Sequence, residues 1–288
     1  CSRDRHVSGE QGMDRNRSCW CISKMLTISL VTYHPDLELL SRTLVSLHKA
    51  VEWAGISASL KLIDNTQRVS EQFSQAWVNQ FWHGSFELVR SGHNAGFGAA
   101  HNLSLGHDDD YHLILNPDIE LAEDALENAI VFMEKHPKCG LLTPYATWDG
   151  GVVQRLCKRY PTVLDLILRG FAPRRIKRIF HGRLSRYEMS EQLNGQDVLW
   201  DPFIVSGCFM LFRSDVLHKL KGFDSRFFLY FEDFDISLRA GKLSKIAYVP
   251  QVKVVHHGGH ASRKGWRHIW MFGRSMVTFF NIHGWRWW

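Results

Sequence analysis

The stretch YHLILNPD, residues 111–118, decides how the chain is organised. A short run of mostly apolar residues ends abruptly at Asn116-Pro117-Asp118, which is typical of a buried strand that reaches the surface at its carboxyl end. In an open α/β sheet, ligands bind in the crevice outside such strand ends. A carboxylate placed there can hold a divalent cation against a diphosphate. We therefore expect Asp118 to lie at a ligand site.

Strand and helix patterns alternate through the first half of the chain. The strands are predicted at residues 26–32, 60–63, 86–89 and 111–115. The helices between them are indicated by apolar residues three to four positions apart, over about 37–51, 73–81 and 122–135. This order predicts an α/β fold with a Rossmann-like, mostly parallel central sheet flanked by helices through residue ~145.

The second half of the chain is less regular. The stretch VSGCFMLF at 205–212 predicts a core strand, and a helix is expected from Asp233 to Ala240. Two closing strands, 245–249 and 252–255, are predicted on either side of Pro250.

Both ends of the chain differ from its body. Residues 1–24 are polar, basic and aperiodic, so we expect a leader or extension without ordered structure. Met25 is followed at once by the first buried strand, and the folded domain is expected over 25–264, in two halves of 25–145 and 146–264. Residues 265–288 predict a basic-aromatic tail that forms an amphipathic helix.

Composition limits the class of partner. The chain of 288 residues is 45% hydrophobic, which is enough to bury a full core. A net charge of +6 and a pI near 9.0 predict an anionic partner: nucleic acid, an anionic membrane or a phosphorylated substrate. No recognition motif supports nucleic acid, so none is expected. The sequence also shows no membrane span, signal peptide or disulfide framework, which favours the cytoplasm.

Polar residues follow four successive predicted strands. They are Thr32-Tyr33, Asp64-Asn65, the loop SGHNAGFG at 91–98 with Asn94 and Gly96, and Asn116 to Asp118. Each is an ordinary turn signal when taken alone. Four consecutive strands that end in this way converge on one crevice, which predicts a nucleotide site where Asp64 accepts from a base N–H. The loop is not G-x-G-x-x-G, which argues against a dinucleotide.

A second acidic cluster, Glu232-Asp233-Phe234-Asp235, follows the aromatic run FFLYF at 227–231. Acids in the first turn of a helix are stabilised by its dipole, and that alone would justify them. A carboxylate beside apolar rings also has its pKa raised, as a general base requires. We therefore favour catalysis for Asp233, with Glu232 and Asp235 as supports.

These motifs resemble, in order, those of family-2 glycosyltransferases of the GT-A fold. They are VTYHP at 31–35, DN at 64–65, NAGFG at 94–98, LNPD at 115–118, SGCFML at 206–211, EDFD at 232–235 and HHGGHAS at 256–262. The match covers roughly residues 25–283. Among these enzymes, the chain is similar above all to the bacterial rhamnosyltransferases that build lipopolysaccharide core or O-antigen.

The resemblance implies an inverting enzyme that moves L-rhamnose from dTDP-L-rhamnose to a lipopolysaccharide-core or lipid-linked saccharide, with Mg²⁺ or Mn²⁺ as cofactor. It makes 25–145 the nucleotide-binding half and 146–264 the acceptor and catalytic half. Asp233 would be the base, and Asp118 and His256 the metal ligands. The implied nucleotide contacts are Thr32, Tyr33, Asp64, Asn65, Asn94, Gly96 and Asn116. The implied acceptor or supporting residues are Glu232, Asp235, Ser206 and Gly207.

Asn116 departs from the family's commonest metal motif, Asp-x-Asp, in which the first member is a carboxylate. A neutral amide is a poorer ligand for a hard cation. Asp118, His256, diphosphate oxygens and waters could still complete six-coordination. We therefore expect modest metal affinity in the absence of nucleotide. His257 is one residue away from the implied ligand and is expected to face the other side of its strand.

Two basic segments raise the question of a membrane. Residues 169–187 contain seven Arg or Lys residues and no acid, and residues 265–288 contain five tryptophans. Together they predict peripheral attachment to the anionic inner face of the cytoplasmic membrane. The alternative is that the aromatic side chains of the tail pack on the catalytic domain and complete its core.

Two other functions stay open at this stage. One is transfer of another hexose, such as galactofuranose or glucose, from a UDP-sugar. The other is a non-catalytic module that binds a sugar nucleotide or glycan at the membrane face. The presence of Asp118, Asp233 and His256 together argues against the second, because a binding module has no use for a base.

Overall fold

The computed structural model describes residues 24–67, 72–106, 109–258 and 265–288. Residues 1–23 lie outside the described residues, as does most of the 256–262 motif. The strands described are Met25–Thr32 (β1), Ser57–Asp64 (β2), Ser85–Arg90 (β3), Tyr111–Leu115 (β4), Ile119–Leu121 (β5), Cys139–Trp148 (β6), Val153–Gln154 (β7), Cys157–Lys158 (β8), Leu199–Trp200 (β9), Ile204–Val205 (β10), Phe209–Arg213 (β11) and Lys245–His256 (β12). The α-helices described are Leu37–Ala54 (α1), Gln75–Val78 (α2), Phe97–His101 (α3), Ala125–Lys135 (α4), Val163–Phe171 (α5), Arg174–Ile179 (α6), His181–Tyr187 (α7), Ser214–Leu220 (α8), Glu232–Ala240 (α9) and Trp266–His283 (α10).

The central sheet is built around β1. Leu26, Ile28 and Leu30 are almost fully buried on one face of this strand, and its other face is buried as well. Burial on both faces explains why the strand has a nearly continuous apolar sequence. β1 pairs in parallel with β2 and β4, and β2 pairs in parallel with β3. The α/β fold and the parallel sheet predicted for the first half are confirmed.

The second half of the chain inserts an antiparallel strand into this sheet. The strand order is β3-β2-β1-β4-β11-β6-β12-β5, and β11 runs antiparallel to both of its neighbours. Phe209 at the start of β11 lies opposite Leu115 at the end of β4. Residues 206–208, which precede β11, therefore lie beside residues 116–118, which follow β4. This insertion sets the position of the site described below.

Helix α1 shows how local sequence fixes the first layer on the sheet. The Asp36 carboxylate caps its N-terminus by accepting from two backbone N–H groups, and Gly55 ends it in a left-handed conformation. Leu40, Leu44 and Leu47 face the core, as their spacing predicts.

Two predicted elements differ in the structure. The helix expected over 73–81 is only the short α2, because Phe73 and Trp82 are buried from irregular backbone at either side of it. The two strands expected around Pro250 are one strand, β12, whose register against β6 shifts between Val249 and Lys253. Proline lacks the N–H that a ladder needs, and the strand accommodates it as an irregularity instead of ending.

The two ends of helix α10 of the tail differ in burial. Phe279 and Phe280 near its C-terminus are fully buried and pack in a cluster with Phe227, Phe231 and other apolar residues. Trp266 and Trp270 in its first two turns are exposed, with relative accessibilities of 83% and 64%. The tail thus completes part of the core and also presents tryptophan to the surroundings, so the two alternatives drawn from the sequence are not exclusive.

The last residues of the chain are tied to the start of α5. The Tyr160 hydroxyl donates to the Gly284 carbonyl at 2.8 Å, and the Val163 N–H donates to the Arg286 carbonyl at 2.8 Å. The Arg286 guanidinium lies 4.2 Å from the centre of the Tyr160 ring. These contacts place the tail beside α5 and α6, so the two basic segments predicted from sequence are neighbours in space.

Candidate active site

The carboxylate of Asp64 lies at the end of β2 and is 1% exposed. Its Oδ1 accepts a hydrogen bond from the Thr66 N–H at 2.9 Å. Its buried Oδ2 has no hydrogen-bond partner among the described residues. A buried carboxylate oxygen without a donor is costly, so this atom is available to an incoming N–H group such as that of a nucleobase.

The glycine-rich loop is held together by side chains that were predicted to contact the nucleotide. Asn65 Nδ2 donates to the Gly96 carbonyl at 3.1 Å, and Asn65 Oδ1 accepts from the Ser91 hydroxyl at 3.1 Å. Asn94 Oδ1 accepts from the Gly96 N–H at 3.0 Å. The polar groups of these residues shape the loop that borders the predicted nucleotide crevice.

Gly96 has a left-handed backbone conformation, with φ of 89°, and a Cβ added there would collide with the Phe228 carbonyl. The N–H of the next residue, Phe97, donates to that same carbonyl at 3.0 Å. The close approach that the glycine permits is therefore made by the chain's own segment before α9. The space that Gly96 leaves by lacking a side chain is filled by the Phe228 carbonyl.

The turn after β1 presents an aromatic ring at the same end of the sheet. Thr32 is buried, whereas the neighbouring Tyr33 is 53% exposed and packs edge to face against His34 with ring centres 4.5 Å apart. The His34 N–H donates to the Thr66 hydroxyl at 2.9 Å. Thr66 thus joins the first and second strand ends, a role that the sequence interpretation missed although the residue directly follows Asp64-Asn65.

Backbone groups of residues 206–208 join the two acidic regions of the site. The Asn116 N–H donates to the Cys208 carbonyl at 2.9 Å, and the Gly207 N–H donates to Asp233 Oδ2 at 3.1 Å. Burial raises the pKa of the Cys208 thiol to about 12, and the charges of Asp118 and Asp233 both act in the same direction. The two carboxylates therefore flank one short segment, as expected of parts of a single site.

Asp118 and His256 form a close pair at the other side of that segment. His256 Nε2 lies 3.3 Å from Asp118 Oδ1, which no residue in the described ranges donates to. The His256 ring stacks on Trp148, with centres 5.3 Å apart, and its Nδ1 lies 2.8 Å from the Gln154 amide oxygen. Because that oxygen only accepts, the Nδ1–H of His256 donates to it, and Nε2 faces the Asp118 carboxylate.

The space around this pair is restricted. A Cβ added to Gly258 would collide with Asp118 Oδ2, so only glycine fits there. His257 points away from the pair, as strand alternation predicts, and its Nε2 lies 2.8 Å from Glu120 Oε2. The described residues contain no group of three or more His, Cys, Asp or Glu side chains that could hold a metal ion. Asp118 and His256 could supply two ligands, and a bound nucleotide and water would have to supply the others.

The helix that carries Asp233 begins from a strained turn. Tyr230 and Phe231 have φ angles of 70° and 67°. Such left-handed conformations cost bulky residues about 1–3 kcal/mol each and are concentrated at functional sites. The turn is retained because Phe231 is buried in the aromatic cluster.

The adjacent carboxyl groups of Glu232 and Asp233 lie in different surroundings. Burial, and then the charge of Asp233, raise the pKa of Glu232 well above its usual range, and Glu232 Oε2 has no partner among the described residues. Burial also raises the pKa of Asp233, but the positive charge of Lys158 and the Gly207 N–H oppose that shift. Glu232 is therefore the member that holds a proton, and Asp233 the member that ionises.

Asp235 lies on the inner face of α9 and is fully buried. Its two oxygens accept from Arg239 Nε at 2.7 Å and bind His283 Nε2 at 2.8 Å. Asp235 therefore links two successive turns of α9 and also joins α9 to the tail helix. A supporting role of this kind was proposed from the sequence. Asp235 does not face the acceptor.

Two residues near the site were missed in the sequence interpretation. Gln154 belongs to the two-residue strand β7, which is too short to give a hydrophobic periodicity. Lys158 has the basic neighbours Arg155 and Arg159, and such a cluster of charges is typical of a solvated surface. Lys158 is in fact 6% exposed, with its ammonium 5.8 Å from the centre of the Phe234 ring.

A separate cleft of about 870 Å³, lined by residues such as Lys219 and Lys245, contains none of the predicted site residues.

Comparison with known proteins agrees with this geometry. No family model matches the chain. The chain is 27% identical, over 285 residues, to the N-acetylglucosaminyl-diphospho-decaprenol L-rhamnosyltransferase of Mycobacterium tuberculosis, and the alignment covers 93% of this chain and 87% of the relative. It is 27% identical over 183 residues to rhamnosyltransferase WbbL of Escherichia coli K12, covering 60% of this chain and 65% of that one.

Solved structures share the fold at low sequence identity. Mannosyltransferase PcManGT from Pyrobaculum calidifontis, in complex with GDP-Man and Mn²⁺, superposes with a TM-score of 0.57 at 16% identity, over 90% of this chain and 63% of that chain. GalNAc-T7 with UDP, GalNAc and Mn²⁺ superposes with a TM-score of 0.59 at 14% identity, over 83% of this chain and 44% of that chain.

The fold and these similarities define the chain as a GT-A glycosyltransferase, an enzyme that transfers sugars. Within that class it resembles the family-2 glycosyltransferases, and its named relatives are rhamnosyltransferases, as the sequence motifs predicted. A non-catalytic binding module is thereby excluded.

Replacement of Asp233 by asparagine should reduce the transfer rate about 100- to 10,000-fold, because the amide keeps the shape of the side chain but cannot accept a proton. Calorimetric binding of the nucleotide diphosphate should stay near normal. Asp124→Asn, an exposed change on α4, is the matched control and should leave the rate unchanged. Near-normal turnover of Asp233→Asn would exclude this residue as the base.

Proposed function

We propose that the enzyme transfers L-rhamnose from dTDP-L-rhamnose to a saccharide that is linked to a lipid through diphosphate. The observation that carries the proposal is the arrangement of Asp233 and the Asp118–His256 pair on either side of residues 206–208. One side is suited to activate an acceptor hydroxyl and the other to receive a departing diphosphate. The name of the Mycobacterium tuberculosis relative supports rhamnose as the sugar and a lipid diphosphate as the acceptor's carrier.

In the proposed reaction, Asp233 takes the proton of the acceptor hydroxyl as that oxygen attacks the anomeric carbon of rhamnose. The bond from that carbon to the nucleotide diphosphate breaks on the opposite face, so the anomeric configuration inverts and no covalent enzyme intermediate is needed. Glu232 stays protonated beside the base and adds no second negative charge. Asp64 holds the nucleobase through its open Oδ2.

Asp118 and His256 are the residues that would hold a divalent cation, Mg²⁺ or Mn²⁺. The fit is supported by two acceptor atoms, Asp118 Oδ1 and His256 Nε2, that face each other at 3.3 Å. A divalent cation at this position would require a neutral imidazole and an ionised carboxylate as its ligands. When bound, it would offset the charge that develops on the leaving diphosphate. Mn²⁺ in the solved relatives PcManGT and GalNAc-T7 supports this choice.

The donor and acceptor are tested directly by incubating the purified chain with a polyprenyl-diphosphate-linked N-acetylglucosamine and one donor at a time. With dTDP-L-rhamnose, dTDP should be released in step with a product one deoxyhexose heavier by mass spectrometry. UDP-galactofuranose and UDP-glucose serve as the competing donors. A preference for either of them would contradict rhamnose transfer and support the UDP-sugar alternative.

Asp118→Ala should remove the gain in nucleotide affinity that a metal provides, because one of the two protein ligands is lost. Calorimetry with dTDP, with and without Mg²⁺ or Mn²⁺, measures that gain. Asp124→Ala, at an exposed carboxylate that directly precedes α4, is the control and should keep the full metal effect. An equal metal effect in Asp118→Ala would contradict its role as a ligand.

The enzyme is also proposed to dock on the anionic inner face of the cytoplasmic membrane. No helix in the described ranges is long and apolar enough to cross a bilayer. Instead, Ile179 on α6 and Trp266 on α10 are 78% and 83% exposed, and α5 and α10 meet where the Phe171 and Phe272 rings lie 6.2 Å apart. This paired arrangement, with basic side chains on both helices, resembles helices that lie in a lipid headgroup region.

Vesicle flotation should show binding to anionic vesicles, weaker binding to neutral ones, and partial release by high salt. Neutralising Arg174, Arg175 and Arg178 to glutamine should weaken flotation, since each basic residue near anionic lipid contributes about 1 kcal/mol. The matched control carries the same loss of charge on exposed lysines of the nucleotide half and the loop before β6: Lys49→Gln, Lys135→Gln and Lys138→Gln. Equal loss in both triple variants would show a general charge effect, and no flotation of the unaltered protein would refute docking.

A further inference from the structure

Lys158 is the most unusual charged residue near the candidate base. It belongs to β8, where it lies opposite Ile204 of β10, and it is only 6% exposed. Its ammonium is 5.8 Å from the Phe234 ring, and none of the described residues places an acceptor within hydrogen-bond or ion-pair distance of it. Lysine is almost never buried in this way without a partner, so a partner is expected from beyond the described residues.

The nearest charged groups show where that partner would lie. Burial lowers the pKa of Lys158, the charge of Arg169 acts in the same direction, and the charge of Asp233 opposes both. Arg169 lies near the end of α5, two residues before the exposed Phe171 of the proposed membrane surface. The ammonium is therefore close enough to both the candidate base and Arg169 of α5 to interact electrostatically with each.

We propose that Lys158 binds the diphosphate of the lipid-linked acceptor. In such an acceptor the first sugar carries its diphosphate on the anomeric carbon, so a hydroxyl of that sugar at Asp233 places phosphate oxygens within one sugar ring of the base. In the proposed reaction, the diphosphate of the donor binds near Asp118 and His256, so it does not compete for the Lys158 ammonium. A lysine ammonium recognises phosphate as a compact point charge with three donors.

This assignment rests on the proposed function. It adds an explanation of how the enzyme would select an acceptor that carries a charged diphosphate. The saccharide alone could reach Asp233 without Lys158. The acceptor diphosphate would accept hydrogen bonds from the buried ammonium. Only an acceptor that carries the diphosphate therefore offsets the energetic cost of burying that charge. The lipid chain would then leave the site toward α5 and α6.

The test compares two acceptors that carry the same sugar, one on a polyprenyl diphosphate and one on an uncharged alkyl glycoside. Lys158→Met should raise the KM for the diphosphate acceptor by about 10- to 100-fold, as expected for loss of a hydrogen bond to a charged group. The KM for the alkyl glycoside and for dTDP-L-rhamnose should stay within about twofold. Lys158→Arg should restore part of the preference, and Arg159→Met, an exposed change one residue later, should keep all of it.

A different result would follow if Lys158 served only to hold Asp233 ionised. Its positive charge lowers the pKa of Asp233, so its removal would move the acid limb of the rate profile to higher pH and reduce kcat equally for both acceptors. That outcome, or an unaltered enzyme that does not prefer the diphosphate acceptor, would overturn the proposal.

Calorimetry of the diphosphate acceptor in the presence of dTDP measures the same contact without the transfer step. Weaker binding by Lys158→Met than by the unaltered protein supports the assignment even if rhamnose is not the sugar transferred. Equal binding by the two proteins refutes it even if rhamnose transfer is observed. Lys158→Gln, with its fold checked by circular dichroism, replaces the methionine variant if that protein does not fold.

Discussion

Two backbone hydrogen bonds made by residues 206–208 hold the candidate site together. One joins this segment to Asn116 after β4, and the other joins it to the carboxylate of Asp233 on α9. Both exist because β11 is inserted antiparallel beside β4, which brings the start of one strand to the end of the other. The parallel half of the sheet forms the candidate nucleotide crevice, and this single insertion brings the candidate base Asp233 next to it. The chemistry depends on a strand-order constraint as much as on the side chains.

The electrostatics of the site follow from unequal burial of a few charges. Burial and the charge of Asp233 raise the pKa of Glu232 well above its usual range. Burial also raises the pKa of Asp233, but Lys158 and the Gly207 N–H oppose that shift. The Asp118–His256 pair is oriented by Gln154 and Trp148, residues that contact no substrate in the proposed reaction. Each reactive group thus has a protonation state that is set by its neighbours.

Sequence reasoning predicted the regular parts of this molecule well. Periodicity located the buried strands and α1, and the polar strand ends located Asp64 and Asp118, because strand ends and helix faces are local properties. It could not predict that Asn65 and Asn94 use their amides to shape the loop, or that Gly96 makes room for Phe228. Those roles depend on contacts between residues distant in sequence. Lys158 was missed for the same reason, since burial of one lysine among several basic residues has no local signal.

The buried contact between Asp235 and His283 has a consequence for how the enzyme is made. The helix that bears the base shares a fully buried carboxylate with the tail helix, and the partner residues are 48 positions apart. While the chain is being synthesised, α9 leaves the ribosome before His283 exists, and Asp235 has only Arg239 as its partner. The nucleotide half of the sheet can form early. Helix α9 therefore reaches its final environment only after residue 283 has been synthesised and has packed against it.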